Sequence, residues 1–302
     1  MVYNREACRS ALCALGAKEN VSLKQLTTFK VGGTAAFVLE SGEDNSLLKA
    51  LEVCRTYRLP CALLGNGSNV LAGDEGFEGL ILKITGGEPV FEGCRVRVSA
   101  GYSLTALARE SLRRGYKGLE RLCGIPGTVG GAAAMNAGAY GGQILDVLRR
   151  VKVCRQGEIL WEEVNPEEFG YRKSPYIWPK AMVLEAELEL SLDDGSAKEI
   201  MENCTKARRE KQPLEYPSAG SYFKRPQGYF AGALIEQCGL KGARVGDARV
   251  SPKHAGFLIN EGSASYEEVR TLERLVCEKV LEQTGVTLER EVRLLEETAC
   301  IF

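Results

Sequence analysis

Three short polar stretches hold the side chains in this 302-residue chain that could carry chemistry. In FGYRKSPYIW (169–178), Tyr171 and Arg172 stand just before a Ser-Pro break. A guanidinium at the mouth of a loop can grip a carboxylate or phosphate in a bidentate fork. In SAGSYFKRP (218–226), Ser221 follows a glycine and sits among aromatics, with Lys224 nearby. A serine hydroxyl has little acidity of its own, so as a proton donor it needs charged or amide neighbours to order it. In LEREVR (288–293), an extended backbone puts Glu289, Glu291 and Arg293 on one face and Arg290 and Val292 on the other. Each stretch also has an ordinary reading: a solvated arginine, a turn-forming serine, a solvated charged face. Metal and hydrolase chemistry have little support, because His254 is the single histidine and neither a C-x-x-C pair nor a G-x-S-x-G elbow occurs. His254 is expected to bond structurally, and no metal is expected.

Two glycine-rich stretches supply backbone rather than side chains. CGIPGTVGGAAAMNAGAYGGQ (123–143) is uncharged and interleaves its glycines with Ile125, Val129 and Met135, unlike a flexible linker. Bare N–H groups in such a stretch can approach the oxygens of a phosphate directly. GNGSN (65–69) follows the apolar run Cys61–Leu64 and forms a second candidate loop. It is not a dinucleotide fingerprint, since Val70 stands where a third glycine would be, and no G-K-[ST] follows.

The elements that must position these residues read as follows. Residues 3–17 suggest an amphipathic helix, 27–40 a strand, glycine turn and strand, and 43–57 a helix. Residues 61–71 and 79–84 read as strands around a glycine turn, 103–115 as a helix opened by Ser103, and 147–164 as a hairpin around Gln156–Gly157. A strand at 181–190 and a helix near 196–211 precede a break at QPLEYPSAG. Ser265–Glu268 is a capping box for a helix ending at Gly285, and 286–296 reads as a terminal strand. The implied domains are 1–85, 86–212 and 213–302.

With 39 basic and 40 acidic residues, bulk charge gives no support for a nucleic-acid or membrane partner. Eleven cysteines without pairing pattern read as free thiols in a reducing compartment. Residues 1–20 carry charges inside every apolar stretch, so neither a signal peptide nor a spanning helix is expected. A cytoplasmic monomer acting on small molecules is the expectation.

The motifs TTFKVGG, LGNGSN, GIPGTVGGAAAMNAGAYG, YRKS, GSYFKRP, AGALIEQCGLKG, KHAGFLIN and LEREVR occur in this order between residues 27 and 293. In that combination the chain resembles the UDP-N-acetylenolpyruvoylglucosamine reductase family, FAD enzymes of bacterial peptidoglycan precursor synthesis. The resemblance implies an α+β fold: a two-part FAD-binding region of the vanillyl-alcohol-oxidase (PCMH) type and a C-terminal α+β substrate domain. It implies flavin contacts from Gly65, Asn66, Gly67, Ser68 and Asn69, and from Gly124, Ile125, Pro126, Gly127, Thr128, Gly130, Gly131, Asn136, Ala137 and Gly138. It also implies that NADPH and UDP-N-acetylglucosamine enolpyruvate take turns in one site, with hydride passing from NADPH through FAD to the enolpyruvyl C3. By motif position Ser221 would protonate C2, Arg172 would pair with the developing aci-carboxylate, and Glu291 would help polarise or protonate it. Tyr171, Lys224, Gln237 and Asn260 would contact substrate. The sequence resembles the shorter class, without the tyrosine-bearing substrate loop, and carries Arg225 where the family usually has asparagine. Two other readings of the residues stand beside it: a sugar or alcohol oxidase on the same fold, and a non-catalytic binding protein.

Overall fold

A computed structural model describes residues 5–300. The first helix, α1 (Arg5–Ala14), falls within the expected 3–17, of which residues 3 and 4 lie outside the described residues.

A four-stranded sheet follows: β1 (Lys18–Ser22), β2 (Thr34–Ser41), β3 (Cys61–Leu63) and β4 (Phe77–Ile84), in the order β1-β2-β4-β3. The β2–β4 and β3–β4 pairs are parallel. A parallel strand covered on both faces needs a near-continuous apolar run, and β2 and β4 supply it in AAFVL and GLILKI. Helix α2 (Asp44–Tyr57) connects β2 to β3 and buries Leu47, Ala50, Leu51 and Cys54, one stripe at helical spacing.

The second sheet is antiparallel throughout. It comprises β5 (Val90–Glu92), β6 (Arg95–Ser99), β7 (Leu148–Arg155), β8 (Glu158–Glu163) and β9 (Met182–Glu189), ordered β8-β7-β9-β6-β5. The β7–β8 hairpin turns at Gln156 (φ 53°) and Gly157 (φ 92°), and two central residues at positive φ match the right-handed twist of the strands. Two helices cover the sheet: α3 (Leu104–Arg113), whose Ser103 cap accepts from the Ala106 N–H, and α4 (Val129–Met135), whose Thr128 cap accepts from the Gly131 N–H. Helix α5 (Ala197–Lys211) follows β9. Cys154, Trp178, Met182 and Leu184 share a core with Phe37, Leu39 and Leu82, which joins the first two sheets.

Beyond α5 come α6 (Ala231–Gln237), a small antiparallel sheet of β10 (Arg244–Val245), β11 (Ala248–Val250) and β12 (Leu258–Asn260), and α7 (Tyr266–Thr284). Helix α7 begins with the Ser265–Glu268 capping box and ends at Gly285 in the left-handed region. Its Val269, Leu272, Val276 and Val280 pack with Phe29, Val31 and Leu71 from the beginning of the chain.

Two sequence expectations fail. Residues 27–33 form no strand. Their polar groups instead bridge other parts of the fold: the Thr28 N–H donates to Gly67 O, its hydroxyl to Ser218 O at 2.7 Å, and Gly33 N–H to Gly73 O. Residues 286–296 are not one strand either. Arg290 faces Phe223 in an isolated antiparallel bridge, only Arg293–Leu294 pairs with Val70–Leu71, in parallel, and Leu295–Thr298 turns into a helix. The extended propensity of both segments is overridden by tertiary partners.

Candidate active site

The glycine loop after β3 and the one before α4 meet face to face. A Cβ at Gly65 would lie 2.7 Å from Thr128 Oγ1, and the Asn66 amide donates to Pro126 O at 3.2 Å. Gly67 takes φ 61°, and a Cβ there would strike Leu26 O at 2.3 Å. Gly130 donates its N–H to Ala100 O, with space for no side chain between them. Among the described residues, the N–H groups of residues 65–68, Gly127 and Thr128 donate to no protein group. Seven-residue α4 starts at the second loop, so bare N–H groups from both loops converge.

These loops line a cavity of about 410 Å³ that also receives Arg172, Ser221, Glu291, Arg208 and Arg293. Arg172 sits at φ 54°, unusual for a residue with a side chain, and its fork is fixed at two points. Its Nε donates to Glu291 Oε1 at 2.7 Å and its Nη2 to Gly138 O at 3.1 Å. The Tyr171 hydroxyl donates to the other carboxylate oxygen of Glu291 at 3.0 Å, and the Tyr171 ring lies under the guanidinium. Burial and then the adjacent Glu291 charge push the Tyr171 hydroxyl above its ordinary pKa, so it remains a donor. Glu291 therefore has both oxygens engaged and a side chain only 10% exposed. The hydroxyl of Ser221, across the cleft, has no protein partner among the described residues.

An antiparallel ladder holds Ser221 and Glu291 in place. Glu291 N–H donates to Tyr222 O and Lys224 N–H to Glu289 O, each at 2.8 Å. The face expected to be solvated is instead divided: Glu289 is exposed against Lys224, whereas Glu291 and Arg293 turn into the cleft.

Of the flavin contacts implied by resemblance, the loop residues 65–69, Ile125, Pro126, Gly127, Thr128, Gly130, Gly131, Ala137 and Gly138 line the cavity, while Gly124 and Asn136 do not. Gly124 packs under Arg208 and accepts its Nη1 at 2.8 Å. Asn136 is the left-handed cap of α4, and its amide donates to Gln143 and to Gly170 O, one residue before Tyr171. Among the implied substrate contacts, Tyr171 reaches the site through Glu291, and Lys224 is paired with Glu289 outside the cavity lining. Gln237 is exposed at the end of α6, away from the cleft. Asn260 is buried and, among the described residues, its side chain bonds only backbone: it donates to Phe29 O and Lys30 O and accepts from Gly262 and Ala264 N–H, so it ties β12 to residues 29–30. His254 Nδ1 accepts from Gly256 N–H, and burial lowers its pKa.

Two cleft residues carry little sequence signal. Arg208 lies in the basic run of α5, and only the packing of α5 against Gly124 brings it to the cavity. Arg293 shares the strand face of Glu291, a hint in the alternation. Burial lowers its pKa, and no carboxylate lies within ion-pair distance among the described residues. Three guanidiniums against one carboxylate leave the cavity positive, which favours an anionic ligand. Among the described residues, no helix is long and apolar enough to cross a membrane and no His/Cys/Asp/Glu group is suited to a metal.

Known proteins resemble the chain over nearly its full length. Residues 35–161 match the FAD binding domain, and residues 212–295 match the UDP-N-acetylenolpyruvoylglucosamine reductase C-terminal domain. The UDP-N-acetylenolpyruvoylglucosamine reductase of Clostridium kluyveri is 41% identical over 280 residues, covering 91% of each chain. That of Clostridium novyi is 42% identical over 283 residues, covering 93% of this chain and 92% of its own. The crystal structure of the enzyme from Thermus caldophilus superposes with a TM-score of 0.79 at 38% identity, covering 91% of this chain and 98% of that one. The α+β fold, the two glycine loops and these matches agree: the chain belongs to the UDP-N-acetylenolpyruvoylglucosamine reductase family.

Proposed function

We propose that this protein reduces UDP-N-acetylglucosamine enolpyruvate to UDP-N-acetylmuramate with NADPH, using bound FAD. The observation that carries the proposal is the Tyr171–Arg172–Glu291 cluster facing Ser221 across a cavity built from two glycine loops. The residues fit FAD: the loops offer unpartnered N–H groups for phosphates, and Cβ atoms would fill their points of closest approach. When bound, FAD supplies the hydride relay between the nicotinamide and the enolpyruvyl group.

The chain's own groups do the rest. Arg172, oriented by Glu291 and Gly138 O, pairs with the substrate carboxylate as negative charge builds there, stabilising the transition state more than the ground state. Ser221 donates its proton to C2, and the net positive charge of the cavity it lines favours the transient alkoxide. Arg208 and Arg293 add positive charge that suits diphosphate ligands. Tyr171, bonded to Glu291, and Lys224, paired with Glu289, are the proposed substrate contacts, whereas the Asn260 amide serves the fold. The proposed domain limits are 1–85, 86–212 and 213–302, with the cleft between the third and the first two. Eleven free thiols support a cytoplasmic setting, and we propose a monomer.

The test is an anaerobic visible spectrum of the purified protein. Flavin bands should bleach with NADPH and return with the enolpyruvyl sugar. Bands that return only with oxygen would indicate an oxidase, and a protein that takes up no FAD would defeat the flavoenzyme reading. Gly65→Val probes the loop contact. Its side chain would push Thr128 away, and we expect FAD affinity measured by flavin fluorescence to fall about tenfold, within the range of forcing extra atoms into a packed contact. Unchanged affinity would remove this loop from the cofactor site.

A further inference from the structure

Behind the cleft lies a buried carboxylate without a part in the chemistry above. Glu273, on the inward face of α7, is 9% exposed, and a carboxylate tolerates such burial only when paired. Three groups meet it. The Tyr222 hydroxyl donates to Oε2 at 2.7 Å, Arg270 donates to the same oxygen, and Arg290 Nη1 lies 3.6 Å from Oε1. Arg270 belongs to α7 itself and offsets the charge locally. The other two partners come from the bridged segments that carry the site: Tyr222 follows Ser221, and Arg290 precedes Glu291.

Side chains alternate along extended backbone, so the two partners of Glu273 point back into the fold while Ser221 and Glu291 face the cavity. Only a few backbone bonds join these segments around the bridge between Phe223 and Arg290. Tyr222 is 1% exposed, and burial beside the Glu273 charge keeps its hydroxyl protonated, so it stays a donor. Arg290 is fixed further by donating from Nη2 to both oxygens of Glu297 and from Nε to Val292 O.

We propose that Glu273 is a positioning residue for the reaction, pinning the Ser221 segment through Tyr222 and the Glu291 segment through Arg290, and so setting the distance between proton donor and carboxylate. The assignment rests on the function proposed above. A displacement of about 1 Å at a reacting group can cost about 10²-fold in rate, so loosening either pin acts on proton delivery although neither pin touches substrate.

The test uses the full-length FAD-loaded protein, with flavin absorbance followed anaerobically after rapid mixing. Tyr222→Phe deletes only the hydroxyl and keeps the ring in its pocket; Glu273→Gln retains an acceptor for Tyr222 but weakens the hold on Arg290. Both should slow reoxidation by the enolpyruvyl sugar at least about tenfold and leave reduction by NADPH unchanged. In a Ser221→Ala background, Tyr222→Phe should add no further loss, because the group it positions is gone. Equal slowing of both half-reactions, an undiminished penalty in the Ser221→Ala background, or no change with Tyr222→Phe would each overturn the assignment. A wild-type protein that NADPH bleaches but the sugar does not recolour would overturn the function proposed above, and this assignment with it.

Discussion

Ser221→Ala is expected to leave reduction by NADPH intact and to slow reoxidation by the enolpyruvyl sugar by about 10²–10⁴-fold, the usual worth of a positioned general acid. Ser221 lines the cavity, its hydroxyl makes no protein hydrogen bond among the described residues, and its backbone neighbour Tyr222 is bonded to the Glu291 segment. The hydroxyl is therefore free to address a ligand while its Cα is held. Alanine removes the donor and changes little else, since no buried partner is left unsatisfied. The split between half-reactions is the deciding feature, because the first requires no proton at substrate C2. Rapid mixing under anaerobic conditions measures each separately. If both slow together, the serine shapes the cleft and is not the acid.

Arg172→Lys should slow the same half-reaction by about 10²–10³-fold, the typical cost of losing one preorganised donor to developing negative charge. The guanidinium is held by Glu291 at 2.7 Å and by Gly138 O at 3.1 Å, and a planar fork can keep both while presenting further N–H groups to a carboxylate. An ammonium concentrates its donors at one point and cannot span the same three partners. Lysine at this position meets the same left-handed backbone as arginine, so the comparison isolates the head group. FAD content measured from the spectrum serves as the control for folding. Wild-type rates in the lysine variant would remove Arg172 from the site.

Much of the framework was legible from local signals. The Ser103 cap, the Gln156–Gly157 turn and the Ser265–Glu268 box each involve residues within a few positions of one another, and all three form as the sequence suggests. Local propensity misled where a segment finds its partners far along the chain. Residues 27–33 look like a strand by composition, yet Thr28 bonds Ser218 and the carbonyls of Phe29 and Lys30 bond Asn260. Residues 286–296 look like one strand, yet two different segments compete for their N–H groups and divide them.

By itself the sequence determined the ordered motifs and hence the family resemblance, the two glycine loops, the single histidine, and the three polar clusters. Only the tertiary structure decided which members of those clusters face one another. Arg172 and Glu291 are 119 residues apart and Arg208 lies in an ordinary basic helical run, so no spacing rule relates them. Asn260 and Asn136 stand in motif positions but direct their amides into the fold, Asn260 to the Phe29 and Lys30 carbonyls and Asn136 to the Gln143 side chain and Gly170 O, because a buried amide must satisfy its donors wherever the fold offers acceptors. The same requirement selects Glu273 as the meeting point of Tyr222 and Arg290. Periodicity, caps and turns act over a few residues and can be read from the chain; the partner of a buried charge or amide is set by through-space packing, which emerges only when the sheets, helices and loops close on one another.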